Sequence, residues 1–319
     1  MTDPGLLFQN AKIKSRESAL LGAERLQRVS DAANTEEAVR LLTEAGYPAM
    51  STPDEMLFAA EKEAALLFKE CMTAGYGLEL FLVSDDYHNA KVAAKAYYLG
   101  GAKGAYRPEG YLPVAKIEEA LEKEEYKGLP LPMGEAFLAL GKLHAKDALL
   151  PSDVDVLLDK ATFDDVNEQG KKAHPTIKRY FALLADLKNI SVAYRAGRAD
   201  LSVAKTREAL LPAGTLSEKD LLQVKNDPNE AADKIRAERV IRDALDKIKE
   251  GITAYEVFAD DALLALLKKE RYDMFSPAPI AGFYVGKMRE ITNVRLILAR
   301  FANGVDKEVI KKRMRSLYV

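Results

Sequence analysis

Three long apolar stretches of this chain carry the same polar pair, an acid followed three residues later by asparagine. They are Asp86 with Asn89, Asp186 with Asn189, and Glu290 with Asn293. The second pair lies 100 residues after the first, and the third 104 after the second. Recurrence at so long a period describes a chain assembled from similar units, and this constrains the architecture before any single motif is weighed. The bare spacing is weak, because Asp31 with Asn34 and Asp164 with Asn167 match it too. The three chosen pairs differ in context. Each sits inside an apolar run that continues to Lys95, Arg195 or Arg300, six or seven residues past the asparagine.

The second and third copies keep agreeing downstream, where Asp200, Val203, Lys205, Arg207 and Leu211 line up with Asp306, Val309, Lys311, Arg313 and Leu317. The first and second both exit into Leu-Pro, at Leu112-Pro113 and Leu211-Pro212. The chain therefore reads as one domain, 1–319, containing three units at about 1–112, 113–212 and 213–319.

Those units read as helix nearly throughout. Thr52-Pro53-Asp54-Glu55 combines an N-cap threonine, a first-turn proline and a glutamate positioned for a capping box. Behind it Met56, Leu57, Ala60, Ala64, Leu67 and Phe68 recur at spacings of three and four, the mark of an amphipathic helix. The same periodicity runs through 6–29, 80–99, 132–143, 175–196, 229–250, 253–269 and 280–301. Glycine and proline punctuate the intervals, at Gly100-Gly101, Arg107-Pro108-Glu109-Gly110, Gly128, Gly170, Pro212-Ala213-Gly214, Ser276-Pro277 and Gly304. No alternation of apolar and polar residues lasts long enough to make a sheet. The expected class is all-α, three similar helical units of about 100 residues.

Residues three apart share a helix face, so each acid projects beside its asparagine. Read functionally, the six form a ring of polar groups around a pseudo-threefold axis, open to a partner. Read structurally, they satisfy loops or helix ends of a neighbouring unit, and this reading is preferred because buried polar side chains nearly always have such a job.

Composition removes whole classes of function. Hydrophobic residues make up 48% and charged residues 30%, which excludes a disordered chain. Forty-seven Lys and Arg face 49 Asp and Glu, leaving a net charge of −2, without the basic excess of a nucleic-acid binder. The single cysteine, Cys71, admits no disulfide framework and reads as a small buried apolar residue. Met1-Thr2-Asp3-Pro4-Gly5 lacks a signal peptide's features, and the apolar runs 80–83 and 262–267 are far shorter than a membrane span. A cytoplasmic protein is expected.

Catalytic signatures fail in turn. The segment 134–142 ends in Gly-Lys, but its glycine spacing is wrong for a phosphate loop and Leu143 stands where a hydroxyl residue would hold magnesium. His88, His144 and His174 are scattered, without metal-ligand spacing. The adjacent acids at 85–86, 164–165 and 260–261 diverge by about 100° on a helix and make no acid/base dyad. No cofactor, metal or small-molecule substrate is expected. A peptide-binding helical solenoid is the competing class, disfavoured because its units run nearer 35–45 residues.

Pro277-Ala278-Pro279-Ile280-Ala281-Gly282-Phe283-Tyr284, the run 289–298, Asn303-Gly304 and the segment 308–319 together resemble the C subunit of V-type and A-type rotary ATPases, whose eukaryotic counterpart is the d subunit. Upstream, 153–160, Asp186 to Asn189 with Arg195, and 211–214 look like that family's middle copy, and Lys14-Ser15-Arg16 with Leu20-Leu21 like its first helix. The chain departs from the family pattern at Ser276-Pro277-Ala278 and at Lys287-Met288-Arg289, where glycine and acidic residues are common. The resemblance implies a pseudo-threefold funnel and a non-catalytic connector. Such a connector receives the D and F subunits of the central shaft and sits on the membrane proteolipid ring, peripheral on the cytoplasmic face, passing torque during proton or sodium transport. For the grip on the shaft the basic residues Arg295, Arg313 and Arg315 become candidates, against the plainer reading that they neutralise nearby acids or helix ends.

Overall fold

The computed structural model describes residues 3–100, 104 and 106–319. Met1 and Thr2, within the segment inspected for a signal peptide, and Gly101, half of one glycine break, lie outside them. Every regular element among the described residues is helical. The chain opens with α1 (Pro4–Arg16), α2 (Ala23–Ser30), α3 (Thr35–Glu44) and α4 (Pro53–Cys71). It continues through α5 (Leu80–Leu99), α6 (Val114–Glu122), α7 (Leu131–His144), α8 (Pro151–Gln169), α9 (Pro175–Arg198), α10 (Val203–Ala209), α11 (Glu218–Asn226), α12 (Pro228–Lys234) and α13 (Arg239–Lys249). It closes with α14 (Ile252–Lys268), α15 (Ala278–Asn303) and α16 (Lys307–Lys311).

Local chemistry explains most of these boundaries. At the start of α4 the Glu55 N–H donates to Thr52 Oγ1 and the Thr52 N–H donates back to Glu55 Oε2, each at 3.2 Å, closing the capping box. Proline occupies the first turn of α1, α4, α7, α8, α9, α12 and α15. Two periodic segments turn out to be interrupted. The stretch 6–29 breaks between α1 and α2, where Leu20 and Gly22 are extended and the Leu21 N–H is taken by a distant acid. The stretch 229–250 breaks after Lys234 without glycine or proline. There Ile235 turns extended and is buried, and Glu238 starts the next helix while its side chain pairs with Arg179.

The chain condenses into two compact units. One holds the described residues through Ala74 together with Glu250–Val319. Its axis is α15, whose first nine residues, Ala278–Gly286, are all buried. Ile291, Val294, Ile297 and Leu298 on α15 pack with Leu26, Leu42, Met56 and Leu57 from α2, α3 and α4. Phe68 of α4 stacks on Tyr284 with centroids 4.3 Å apart. Burying each such side chain contributes on the order of 1.5–3 kcal/mol.

The other unit is Gly75–Lys249. Here α8 packs on α5 and α7, while α9 packs on α11 and α13. Lys91 and Lys95 on α5 reach across to Asp159 and Asp155 on α8, both at 2.7 Å. Phe81 of α5 meets Tyr180 and Phe181 of α9, with ring centroids 4.9 and 5.1 Å away.

Candidate functional site

The three acid–asparagine pairs sit on the long helices α5, α9 and α15, and all six side chains are at most 4% exposed. Each asparagine makes the same two bonds. Asn89 Oδ1 accepts from the Arg107 N–H at 2.7 Å and its Nδ2 donates to the Arg107 carbonyl at 3.2 Å. Asn189 does this with Leu211, at 2.7 and 2.9 Å. Asn293 does it with Arg315, both at 2.8 Å. An amide side chain offers a donor and an acceptor side by side, so it satisfies both backbone groups of a single residue.

The acids share a second pattern. Asp86 Oδ1 accepts the Leu112 N–H at 2.8 Å, Asp186 Oδ1 accepts the Leu216 N–H at 2.9 Å, and Glu290 Oε2 accepts the Leu21 N–H at 2.7 Å. In every case that leucine lies one residue before the N-cap of a helix, namely Pro113 of α6, Ser217 of α11 and Gly22 of α2. A buried carboxylate placed there faces the positive end of a helix dipole. Asp186 also takes the Thr215 N–H and hydroxyl, and Glu290 also takes the Tyr47 hydroxyl at 2.8 Å and Lys287 Nζ at 2.5 Å. These carboxylates are fully engaged in tying loops to helices.

The bonds correct the downstream register read from the sequence. Because Asn89, Asn189 and Asn293 hold Arg107, Leu211 and Arg315, Leu211 corresponds to Arg315 rather than to Leu317. The N-caps Ser202 and Asp306 and the left-handed residues Asp200 and Gly304 give the same offset of 104. Gly100 is left-handed as well, so the residue 14 positions after each acid has positive φ. Leu112-Pro113 does not match Leu211-Pro212 either. The matching stretches are Arg107-Pro108-Glu109-Gly110-Tyr111-Leu112 and Leu211-Pro212-Ala213-Gly214-Thr215-Leu216. Their glycines are needed, since a Cβ at Gly110 would come within 2.2 Å of Asp86 Oδ1, and one at Gly214 within 2.4 Å of Asp186 Oδ1. This Pro-x-Gly-x-Leu spacing was the sequence signal for the leucine partners.

The basic candidates divide. Arg295 on α15 donates to Glu61 at 2.7 Å, keeping a buried carboxylate paired while its own side chain stays half exposed. Arg315 spends its guanidinium on Asp260, at 3.0 Å, and on the Arg313 carbonyl, at 2.5 Å. Asp260 also pairs with Arg289 at 2.5 Å, while its neighbour Asp261 accepts the Ser316 N–H and hydroxyl, so these adjacent acids work separately. Arg313 is exposed.

The remaining candidates are ordinary. Residues 134–142 lie within α7. His174 Nδ1 accepts the Thr176 N–H at 3.3 Å, and His144 packs beside Tyr98. Cys71 is buried, and that burial raises its thiol's pKa. Among the described residues no group of three or more His, Cys, Asp or Glu could hold a metal ion, and no helix is long and apolar enough to cross a membrane.

The chain can now be set beside known proteins. It is 26% identical to the C subunit of the A-type ATP synthase from Desulfurococcus sp. (strain SY), over 96% of this chain and 89% of that one. The profile of the ATP synthase (C/AC39) subunit family matches residues 9–313. A match of that extent takes in all six polar positions and the three helices that carry them, and it places this all-α chain in the ATP synthase (C/AC39) subunit family.

Proposed function

We propose that the chain is a non-catalytic connector in the central stalk of an A/V-type rotary ATPase. It joins the D and F subunits of the shaft to the proteolipid ring, on the cytoplasmic face of the membrane, and carries torque between them during ATP-coupled proton or sodium transport. The observation that carries this reading is the family match along nearly the whole chain. The buried polar clamps support it, because a part that transmits torque must resist shear, and each clamp ties a loop to a long helix by bonds that geometry fixes. The threefold recurrence of clamp, leucine partner and left-handed stop also supports three related units in a pseudo-threefold funnel, within the single domain 1–319. None of the six signature residues belongs to a catalytic role in this reading, and ATP is turned over by other subunits.

The test is co-purification followed by a coupling assay. A tagged copy expressed in its own cell should bring down a shaft subunit and a proteolipid ring. Depleting it should leave ATP hydrolysis by the detached head intact while abolishing ion transport. Retained ion transport without the chain, or a saturable Mg-ATP site on the pure protein by calorimetry, would overturn the reading.

A further inference from the structure

One surface of the Gly75–Lys249 unit is built unlike the rest. Where α6 turns into α7, a groove of about 660 Å³ opens beside α7. That is the size of a site that takes a compact ligand or one face of a helix. On its wall Leu131 is 73% exposed and Leu138 52% exposed, two large apolar side chains left in water. They are seven residues apart on one helix, two turns along the same face, the spacing of a helix-packing seam. Between them Gly134 is buried against the groove's own Tyr126, whose Cβ would stand 3.1 Å from an added Cβ.

The groove's charge is one-sided. Glu124, Glu125 and Glu135 line it with a single cation, Lys127. All three glutamates are exposed, and none makes an ion pair with another described residue. Glu124 takes a left-handed backbone, φ 52°, where α6 stops, and the Glu125 N–H closes that turn on the Ala120 carbonyl at 3.1 Å.

We infer that this groove docks a basic amphipathic helix of a partner protein. Its apolar stripe would cover Leu131 and Leu138, and lysines or arginines flanking the stripe would meet the glutamates. A second copy of the chain fits poorly, because a self-complementary contact would set acid against acid. A phospholipid surface fits poorly too, because anionic headgroups would be repelled. The proposal goes beyond the connector reading and does not depend on it.

A fluorescein-labelled synthetic peptide of about five helical turns, with leucine at heptad a and d positions and lysine elsewhere, is the probe. Anisotropy with the full chain should show saturable binding that weakens with salt. It should fall about tenfold or more in the Leu131→Asp/Leu138→Asp variant. In a Glu124→Gln/Glu135→Gln variant it should fall while losing part of its salt dependence. Both pairs are exposed, so unchanged circular dichroism and melting should accompany the loss. A scrambled peptide of equal composition and a glutamate-for-lysine peptide should not bind. The inference is overturned if the probe does not bind, if the variants bind it equally, or if the control peptides match it. It is equally overturned if the leucines instead mediate pelleting with phosphatidylcholine vesicles or self-association in sedimentation.

Discussion

Tyr318 lies so close on Gly286 that a Cβ added to the glycine would stand 2.4 Å from the tyrosine Cβ. Gly282, one turn earlier on α15, faces the same ring, with a built Cβ 2.8 Å from Tyr318 Cε2. The final residues are thus keyed into a small-residue notch. Polar contacts hold them there: Lys268 Nζ donates to the Leu317 carbonyl at 3.0 Å, and Arg271 donates to the Tyr318 carbonyl at 3.2 Å while its guanidinium lies 4.9 Å from the ring.

This notch gives a prediction with an inverted sign. Glycine inside a helix ordinarily costs about 0.5–1 kcal/mol relative to alanine. Gly286→Ala should nevertheless destabilise the protein, by about 1–3 kcal/mol, because the clash is with the stem of Tyr318 and not its tip. In a Tyr318→Gly background, which removes that Cβ together with the ring, the same change should become neutral or stabilising. Chemical denaturation of the four proteins in the cycle reads the coupling directly. Equal effects of Gly286→Ala in both backgrounds would show that the ring is not held in the notch.

The clamps predict a graded series. Asn189→Ala leaves the Leu211 N–H and carbonyl without side-chain partners in a buried setting. The expected cost is about 2–4 kcal/mol, the sum of two unmet backbone groups. Asn293→Ala and Asn89→Ala should cost less, since their bonds to Arg315 and Arg107 are only part-buried, and Asn89→Ala should cost least, since its donor bond is the longest at 3.2 Å. Asn189→Asp should be nearly as harmful as alanine, because a carboxylate would face the Leu211 carbonyl. Urea melts with unchanged m-values would give the ordering, and a neutral Asn189→Asp would contradict the clamp.

Two carboxyls should give opposite pH signatures. Burial acts to raise the pKa of Glu17, but hydrogen bonds and charge from Arg271 and Lys14 outweigh it and hold the carboxyl below its usual 4.5. Its contribution to stability is therefore full above that value and is lost as pH falls through the lowered folded one. Burial raises Asp165 above its usual 3.8, against hydrogen bonds from Gln169 and Tyr87. Its contribution is full below 3.8 and is lost as pH rises through the raised folded value. Glu17→Gln should accordingly lower the melting temperature at neutral pH and less so near pH 4. Asp165→Asn should raise it at neutral pH, with the gain shrinking toward about pH 4. Parallel pH profiles for the two variants would refute the assignment.

Much of this fold could be read from residues, and the reasons are local. Thr52 and Glu55 are three apart, so their capping box is written in one short stretch, and the apolar spacing of 80–99 and 280–301 gives α5 and α15 nearly to the residue. The recurrence of Asp86, Asp186 and Glu290 was visible because the same job, accepting a leucine N–H, selects a carboxylate each time. What those side chains hold was not visible. The partner of Glu290 is Leu21, 269 residues away, and nothing in Leu20-Leu21-Gly22 announces an N–H promised to an acid. The same bond ends a helical pattern that periodicity alone carries unbroken from Leu6 to Val29. The register slip at Leu211 has a related cause. Leu-Pro is too short a match to fix a register, whereas the backbone bonds of Asn189 fix which residue is equivalent to which.

The basic end of the chain supplies the last prediction, which rests on the connector reading. Arg313 and Arg315 are two residues apart and lie in different surroundings. Reversing Arg315 would set a carboxylate against Asp260 and strip the Arg313 carbonyl of its donor. Arg315→Glu should therefore lower stability by about 1–3 kcal/mol whatever the chain binds. Arg313 is exposed, so Arg313→Glu should leave helical content and melting unchanged. If the basic face grips the shaft, Arg313→Glu should still weaken association with the D and F subunits, more strongly at low salt where screening is least. Arg295→Glu tests the same face less cleanly, because it would also set a second carboxylate against the buried Glu61. Pull-down with D and F across a salt series separates the two effects. Undiminished assembly by a well-folded Arg313→Glu protein would remove this face from the grip.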